Sequence, residues 1–195
     1  MKRIIFIAIA ALGFVIAATI GRYYLMSAHD GERATAIGGP FELTDHTGKT
    51  VTDKDFRGKY MLVYFGYTYC PDVCPTSLAI IADALDQLTP AQLEKVVPIF
   101  ISVDPDRDTV QALADFVPNF HDKLVGLTGT PEQIKAVGRA YKAYFAKVNE
   151  DDPDGNYLMD HSSFTYLMGP DGKYVTHFSH GTPPEVMAKR LAEIL

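Results

Sequence analysis

The chain opens on an uninterrupted apolar run, Ile4 to Ile20, of 17 residues. That length is at the short end of what crosses a bilayer as a helix. Lys2 and Arg3 precede the run, so positive charge is expected to hold the N-terminus in the cytoplasm and send the C-terminal bulk across. Tyr23 and Tyr24 suit the interfacial belt on the far side. A cleaved signal peptide is the rival reading, but the small residues at Ala17–Ala18 lie inside the run, and near Ala28 the −3 position is Met26. Residues 1–24 are therefore read as an anchor retained on the chain. Ser27–Gly39 is small and polar without periodicity, and residues 25–39 are read as a linker whose flexible reach is roughly 20 Å. The folded domain is expected over residues 40–195.

Within that domain the apolar pattern changes period several times. Phe41–Leu43 and Thr50–Thr52 flank a Gly48 turn and predict a hairpin. Lys59–Phe65 and Val96–Val103 are nearly continuous apolar runs, the pattern of strands buried on both faces. Between them, Leu78, Ile81, Leu85 and Leu88 form one helical stripe behind Pro75, which suits a first turn. Asp108 with Gln111 resembles a capping box for a helix through Phe116, and Val125–Leu127 reads as a short strand. Thr130, Pro131 and Gln133 start a helix with Ile134, Val137, Tyr141 and Tyr144 inward. Phe164–Met168 and Lys173–Phe178 flank Gly169–Pro170–Asp171–Gly172, a second hairpin, and a last helix opens near Thr182–Glu185. A βαβ unit followed by a hairpin and a covering helix predicts an α/β, thioredoxin-like sandwich with an N-terminal hairpin, preceded by a single transmembrane helix.

Charge narrows the function. Beyond Tyr24 stand 15 basic and 24 acidic residues, a net −9 with no basic patch, which argues against nucleic acid as a partner. Two cysteines are too few for a disulfide framework.

Those cysteines stand in Phe65–Gly66–Tyr67–Thr68–Tyr69–Cys70–Pro71–Asp72–Val73–Cys74–Pro75, between a core strand and a helix start. There the unpaired N–H groups and the dipole favour negative charge and are expected to lower a thiol pKa. Thiolates bind soft metals and attack disulfides, so the placement suits either chemistry. The spacing C-x-x-x-C widens the C-x-x-C redox loop and lets both sulfurs face one centre. Two thiolates under-coordinate most metals, so a third ligand is required. A plain loop-stapling disulfide is the structural alternative.

Of six histidines, His29, His46 and His121 fall in tether, turn and loop and read as solvated. His177 and His180, three apart at a strand end, could pinch a metal only weakly. His161, just before the Phe164–Met168 strand, is placed to complete a Cys2His site or to remain a loop histidine bonded to backbone; position alone leaves both open. The acidic stretches Glu150–Gly155 and Asp104–Asp108 fail the calcium-loop pattern and read as a solvated loop and a helix cap.

The cysteine segment, Ser102–Val103–Asp104–Pro105–Asp106–Arg107–Asp108–Thr109, and Asp160–His161–Ser162 with Gly169–Pro170–Asp171–Gly172 together resemble the Sco (SenC) family. Its members are membrane-anchored thioredoxin-fold copper proteins of cytochrome c oxidase assembly. The likeness runs from about Gly39 to the C-terminus. It implies one copper, Cu(I) or Cu(II), on Cys70, Cys74 and His161, passed as by a metallochaperone to the Cu-A domain of oxidase subunit II. It leaves room for an upstream periplasmic copper donor, and the N-terminal run, with no Arg- and Ser-rich transit segment before it, is read as that of a bacterial inner-membrane protein, single-pass, with the domain periplasmic. The competing function is a thiol–disulfide oxidoreductase that reduces the Cu-A cysteines, with Cys70 and Cys74 as its redox dithiol. Against a general redox enzyme stand the C-x-x-x-C spacing and a facing segment, Asp160–Ser162, without proline. A peroxidase-like reading would rest on Thr68 and Arg107 alone, which is too little. Asp72, Asp104 and Asp160 are candidates to tune the site from behind the ligands.

Overall fold

The computed structural model of the chain describes residues 18–22, 36–148 and 157–195. The chain divides into two units, Met1–Ala36 and Ile37–Leu195. In the first, residues 18–22 are helical and exposed. Among the described residues no helix is long and apolar enough to cross a membrane. Most of the apolar run Ile4–Ile20, together with His29 and Glu150–Gly155, lies outside the described residues.

The second unit is built on a seven-stranded sheet. Its strands are β1 (Glu42–Asp45), β2 (Thr50–Thr52), β3 (Tyr60–Gly66), β4 (Val96–Ser102), β5 (Val125–Thr128), β8 (Thr165–Met168) and β9 (Tyr174–Phe178), in the order β2-β1-β5-β4-β3-β8-β9. Strands β6 (Phe145–Val148) and β7 (Leu158–His161) pair antiparallel in a separate two-stranded sheet. The helices are α1 (Val73–Asp86), α2 (Pro90–Leu93), α3 (Val110–Phe116), α4 (Pro131–Tyr141) and α5 (Pro184–Ile194).

Strand β3 is the centre, as its unbroken apolar run predicts: Met61 to Phe65 are all buried. It pairs parallel with β4 (Val63 opposite Ile99) and antiparallel with β8 (Val63 opposite Tyr166). Its pleat sends alternate residues to opposite faces. Tyr64 stacks with Phe100, which meets Phe116 of α3, while Phe65 meets Tyr141 of α4 edge-on. Helices therefore cover both faces, and α1 packs beside α5. Burying the side chains of Leu62, Val63 and Phe65 stabilises the fold by about 1.5–3 kcal/mol each.

Several local expectations shift. The cap of α3 is Thr109, whose side chain accepts the Ala112 N–H, one residue beyond the Asp108 that the capping-box spacing suggests. Helix α4 has the expected Thr130–Gln133 box but stops at Tyr141, because Lys142 turns left-handed (φ 55°). Tyr144 is thereby thrown outward and stands 61% exposed instead of lining the inner stripe. The β6–β7 hairpin carries no clean two-residue alternation, and periodicity does not reveal it. The β8–β9 turn is as predicted; Gly172 has φ 73°, which a side chain would strain, and a Cβ there would strike Arg57.

Candidate metal and dithiol centre

Strand β3 ends at Gly66, and the chain runs through Tyr67–Cys70 before α1 begins with Asp72 at its cap. Cys74, in the first turn of α1, is fully buried; Cys70 is half-buried. Both are free thiols. The Cys74 amide, one of the helix's spare N–H groups, donates to Cys70 Sγ at 3.3 Å. Gly66 leaves room for this packing: a Cβ on it would lie 2.8 Å from Cys74 Sγ and 2.8 Å from Phe100.

His161, the last residue of β7, reaches the same place from 87 positions away. Its Nε2 lies 3.3 Å from Cys74 Sγ, and its Nδ1 lies 3.1 Å from the carbonyl of Ser162. A carbonyl only accepts, so Nδ1 carries the proton and Nε2 turns its lone pair to the sulfurs. The imidazole is held edge-on between Tyr64 (6.2 Å between centroids) and Tyr67 (5.9 Å). The ligand atoms of Cys70, Cys74 and His161 all lie within 4.8 Å of one another, the one such cluster among the described residues. Two soft sulfurs and a neutral imidazole on a half-open site suit a soft or borderline metal, Cu(I) or Cu(II) included.

Electrostatics departs from the sequence expectation at one point. Burial pushes the Cys74 thiol above its ordinary value, because desolvation outweighs the backbone hydrogen bond of Tyr67 that favours the thiolate. Burial also lowers the His161 pKa, which keeps the ring neutral and able to ligate. Tyr67, buried behind the ring, is raised for the same reason.

The remaining histidines do not join the cluster. His46 accepts the Gly126 amide at 3.2 Å and so ties β1 to β5 instead of being merely solvated. His121 accepts the Lys123 amide. His177 meets the Tyr174 hydroxyl at 2.5 Å and His180 meets Ser77 at 3.1 Å, so the two point to different partners. His180 nonetheless borders the cavity of about 470 Å³ that Cys70, Val73, Leu158 and His161 line.

The Asp104–Asp108 segment is the feature the sequence reading undervalues. Its buried carboxylates do not cap α3, a part that falls to Thr109. Asp108 is fully buried and accepts Thr68 Oγ1 (2.5 Å), Thr68 N (3.0 Å) and Ser102 Oγ (2.6 Å), which fastens the cysteine loop to the end of β4. Desolvation raises its pKa against the pull of these three donors. Asp104, also buried, pairs with Arg107 Nε at 2.5 Å and accepts the Tyr157 hydroxyl at 2.7 Å. The Arg107 guanidinium lies 4.8 Å from the centre of the Tyr69 ring and 3.6 Å from that of Tyr157. The clue in sequence is the position of these charges, directly after a buried strand. Of the other tuning candidates, Asp72 accepts the Thr76 hydroxyl at the surface and Asp160 is exposed.

Fold and site define a thioredoxin-like protein with a dithiol–imidazole centre. A family model described as SCO1/SenC matches residues 29–195, and the chain belongs to that family. It is 45% identical over 159 residues to human "Protein SCO1 homolog, mitochondrial", a match covering 80% of this chain and 52% of that protein, so the chain spans about half the human protein's length. The structure of Bradyrhizobium japonicum ScoI with copper bound is 47% identical, with TM-score 0.75, over 82% of this chain and 100% of that one. A structure of BsSco, described through a disulfide switch and as a member of the Sco family of cytochrome c oxidase assembly proteins, is 27% identical. Its TM-score is 0.63, over 81% of this chain and 93% of that one.

Proposed function

We propose that the chain binds one copper ion through Cys70 Sγ, Cys74 Sγ and His161 Nε2 and delivers it to the Cu-A centre of cytochrome c oxidase subunit II. The observation that carries the reading is the convergence of those three ligand atoms within 4.8 Å. Copper in the Bradyrhizobium relative and the oxidase-assembly role of the family support it. A transferred ion must be held by few, soft, accessible ligands, and three ligands beside an open cavity meet that need. Residues 1–24 act as a single-pass inner-membrane anchor with the N-terminus cytoplasmic, residues 25–39 as a linker, and residues 40–195 as the periplasmic copper domain. The Ile4–Ile20 run behind Lys2 and Arg3 supports that topology. An upstream periplasmic copper donor would load the site.

A second reading uses the same sulfurs as a reductant. Cys70 is the more exposed and would attack the acceptor's disulfide as thiolate. Cys74 then displaces the mixed disulfide, so that the acceptor leaves as two thiols and this chain keeps a Cys70–Cys74 disulfide. The disulfide switch of BsSco favours keeping this reading.

One pair of reactions separates them. Copper(I)-loaded protein mixed with reduced, copper-free Cu-A domain is expected to transfer its metal. Transfer failing, while copper-free protein reduces an oxidised Cu-A domain, would replace delivery by reduction.

A further inference from the structure

Tyr64 carries a hydroxyl for which the site offers no well-placed acceptor. The residue is fully buried in the middle of β3, yet its Oη makes no hydrogen bond. A buried donor without an acceptor is costly, and its persistence points to an acceptor present in another state of the protein.

The surroundings name that acceptor. The ring is fixed by Phe100, stacked at 6.4 Å, and by His161, edge-on at 6.2 Å. A Cβ built on Gly66 would lie 2.8 Å from Cys74 Sγ and 3.1 Å from Tyr64 Cε1, the ring carbon next to the hydroxyl-bearing one. Sulfur and ring edge thus border the same gap, which Gly66 leaves open. Cys74 and Ser77 are both close enough to influence the ionisation of Tyr64. Ser77 is already engaged by His180 at 3.1 Å. A neutral thiol is a weak acceptor, whereas a thiolate or a metal-bound sulfur is a strong one.

We propose that Tyr64 is a positioning residue whose hydroxyl donates to Cys74 Sγ when that sulfur carries negative charge, as it does with copper bound. The inference rests on the copper reading. The donor orients the sulfur lone pairs and withdraws charge from the metal–sulfur bond, the part that groups behind the ligands play in metal sites.

The test compares the wild-type domain with Tyr64→Phe and Ser77→Ala, each titrated with copper and followed by sulfur-to-Cu(II) absorption. Tyr64→Phe is expected to fold with an unfolding midpoint no lower than wild type, to weaken copper binding by about tenfold, and to shift the absorption band. Ser77→Ala is expected to leave the band in place. In the wild type, the tyrosine C–O infrared band, assigned by its absence in Tyr64→Phe, is expected to move to a donating position on copper loading. An unmoved band, wild-type copper behaviour in Tyr64→Phe, or the same shift in Ser77→Ala would overturn the assignment alone. A wild-type domain that takes up no copper would overturn the copper reading and the assignment with it.

Discussion

Arg107 donates through Nη1 to the carbonyl of Tyr157 at 2.9 Å while its guanidinium lies 3.6 Å from the centre of the same residue's ring. The contact joins two stretches of chain 50 positions apart. Tyr69, beside Cys70, and Tyr157, four residues before His161, both place their rings against the cation. Arg107 and Asp104 thus join the cysteine loop to the segment that leads to His161, without touching either ligand.

Replacing Arg107 by Met strands Asp104 as an unpaired buried carboxylate. The expected loss is about 3–5 kcal/mol of stability, read as a lower denaturant midpoint. Copper affinity should fall with it, and most of that fall should vanish when His161 is already Ala, because the pin acts through the β6–β7 hairpin. Equal losses in both backgrounds would show that Arg107 supports the fold and not the ligand spacing.

Asp108→Ala removes the acceptor of Thr68 N, Thr68 Oγ1 and Ser102 Oγ at once. Leaving such groups unpaired is expected to cost about 1–3 kcal/mol, and hydrogen exchange at the Thr68 amide should speed up more than at amides of β9. Unchanged exchange at Thr68 would mean the loop is held by other contacts.

Gly66→Ala puts a methyl 2.8 Å from both Cys74 Sγ and the Phe100 ring. Overpacking of this kind costs about 1–3 kcal/mol, and here the sulfur must move as well. Copper affinity is expected to drop more than in Gly48→Ala, where a Cβ meets nothing within 4 Å, though φ is +88° there. Equal affinity in the two variants would contradict the packing argument.

The pH response of the metal-free domain follows from His161. Its folded pKa lies below the ordinary 6.5 because the ring is buried. Above 6.5 folded and unfolded states are both neutral and the contribution is constant. As pH falls below that value the unfolded chain takes up the proton first, so stability declines toward the lowered folded pKa. The slope between pH 6.5 and 5 should flatten in His161→Ala; an identical slope would assign the acid sensitivity elsewhere.

Much of this architecture is legible in the sequence where one physical signal dominates. Met61–Phe65 reads as a central strand from its unbroken apolar run, and Pro75 with Leu78, Ile81 and Leu85 reads as a covering helix. The cysteine pair is conspicuous because C-x-x-x-C sits where a strand meets a helix. His161 is legible only through family resemblance, since its approach to Cys74 is a contact across 87 positions that no local pattern encodes. Asp104, Arg107 and Asp108 look like a helix cap because composition does not tell a solvated charge from a buried, paired one. The raised Cys74 pKa escapes for a related reason: the helix start is local and visible, whereas burial depends on Tyr64, Gly66 and Phe100 closing over the sulfur.

The most direct measurement is X-ray absorption at the copper edge on the reduced protein loaded with one equivalent of Cu(I), beside His161→Ala. Two sulfur scatterers and one imidazole are expected in the wild type, and in the variant the sulfurs should remain while the imidazole signature is lost. An imidazole signature that survives in His161→Ala, or a copper shell with fewer than two sulfurs, would contradict the three-ligand site.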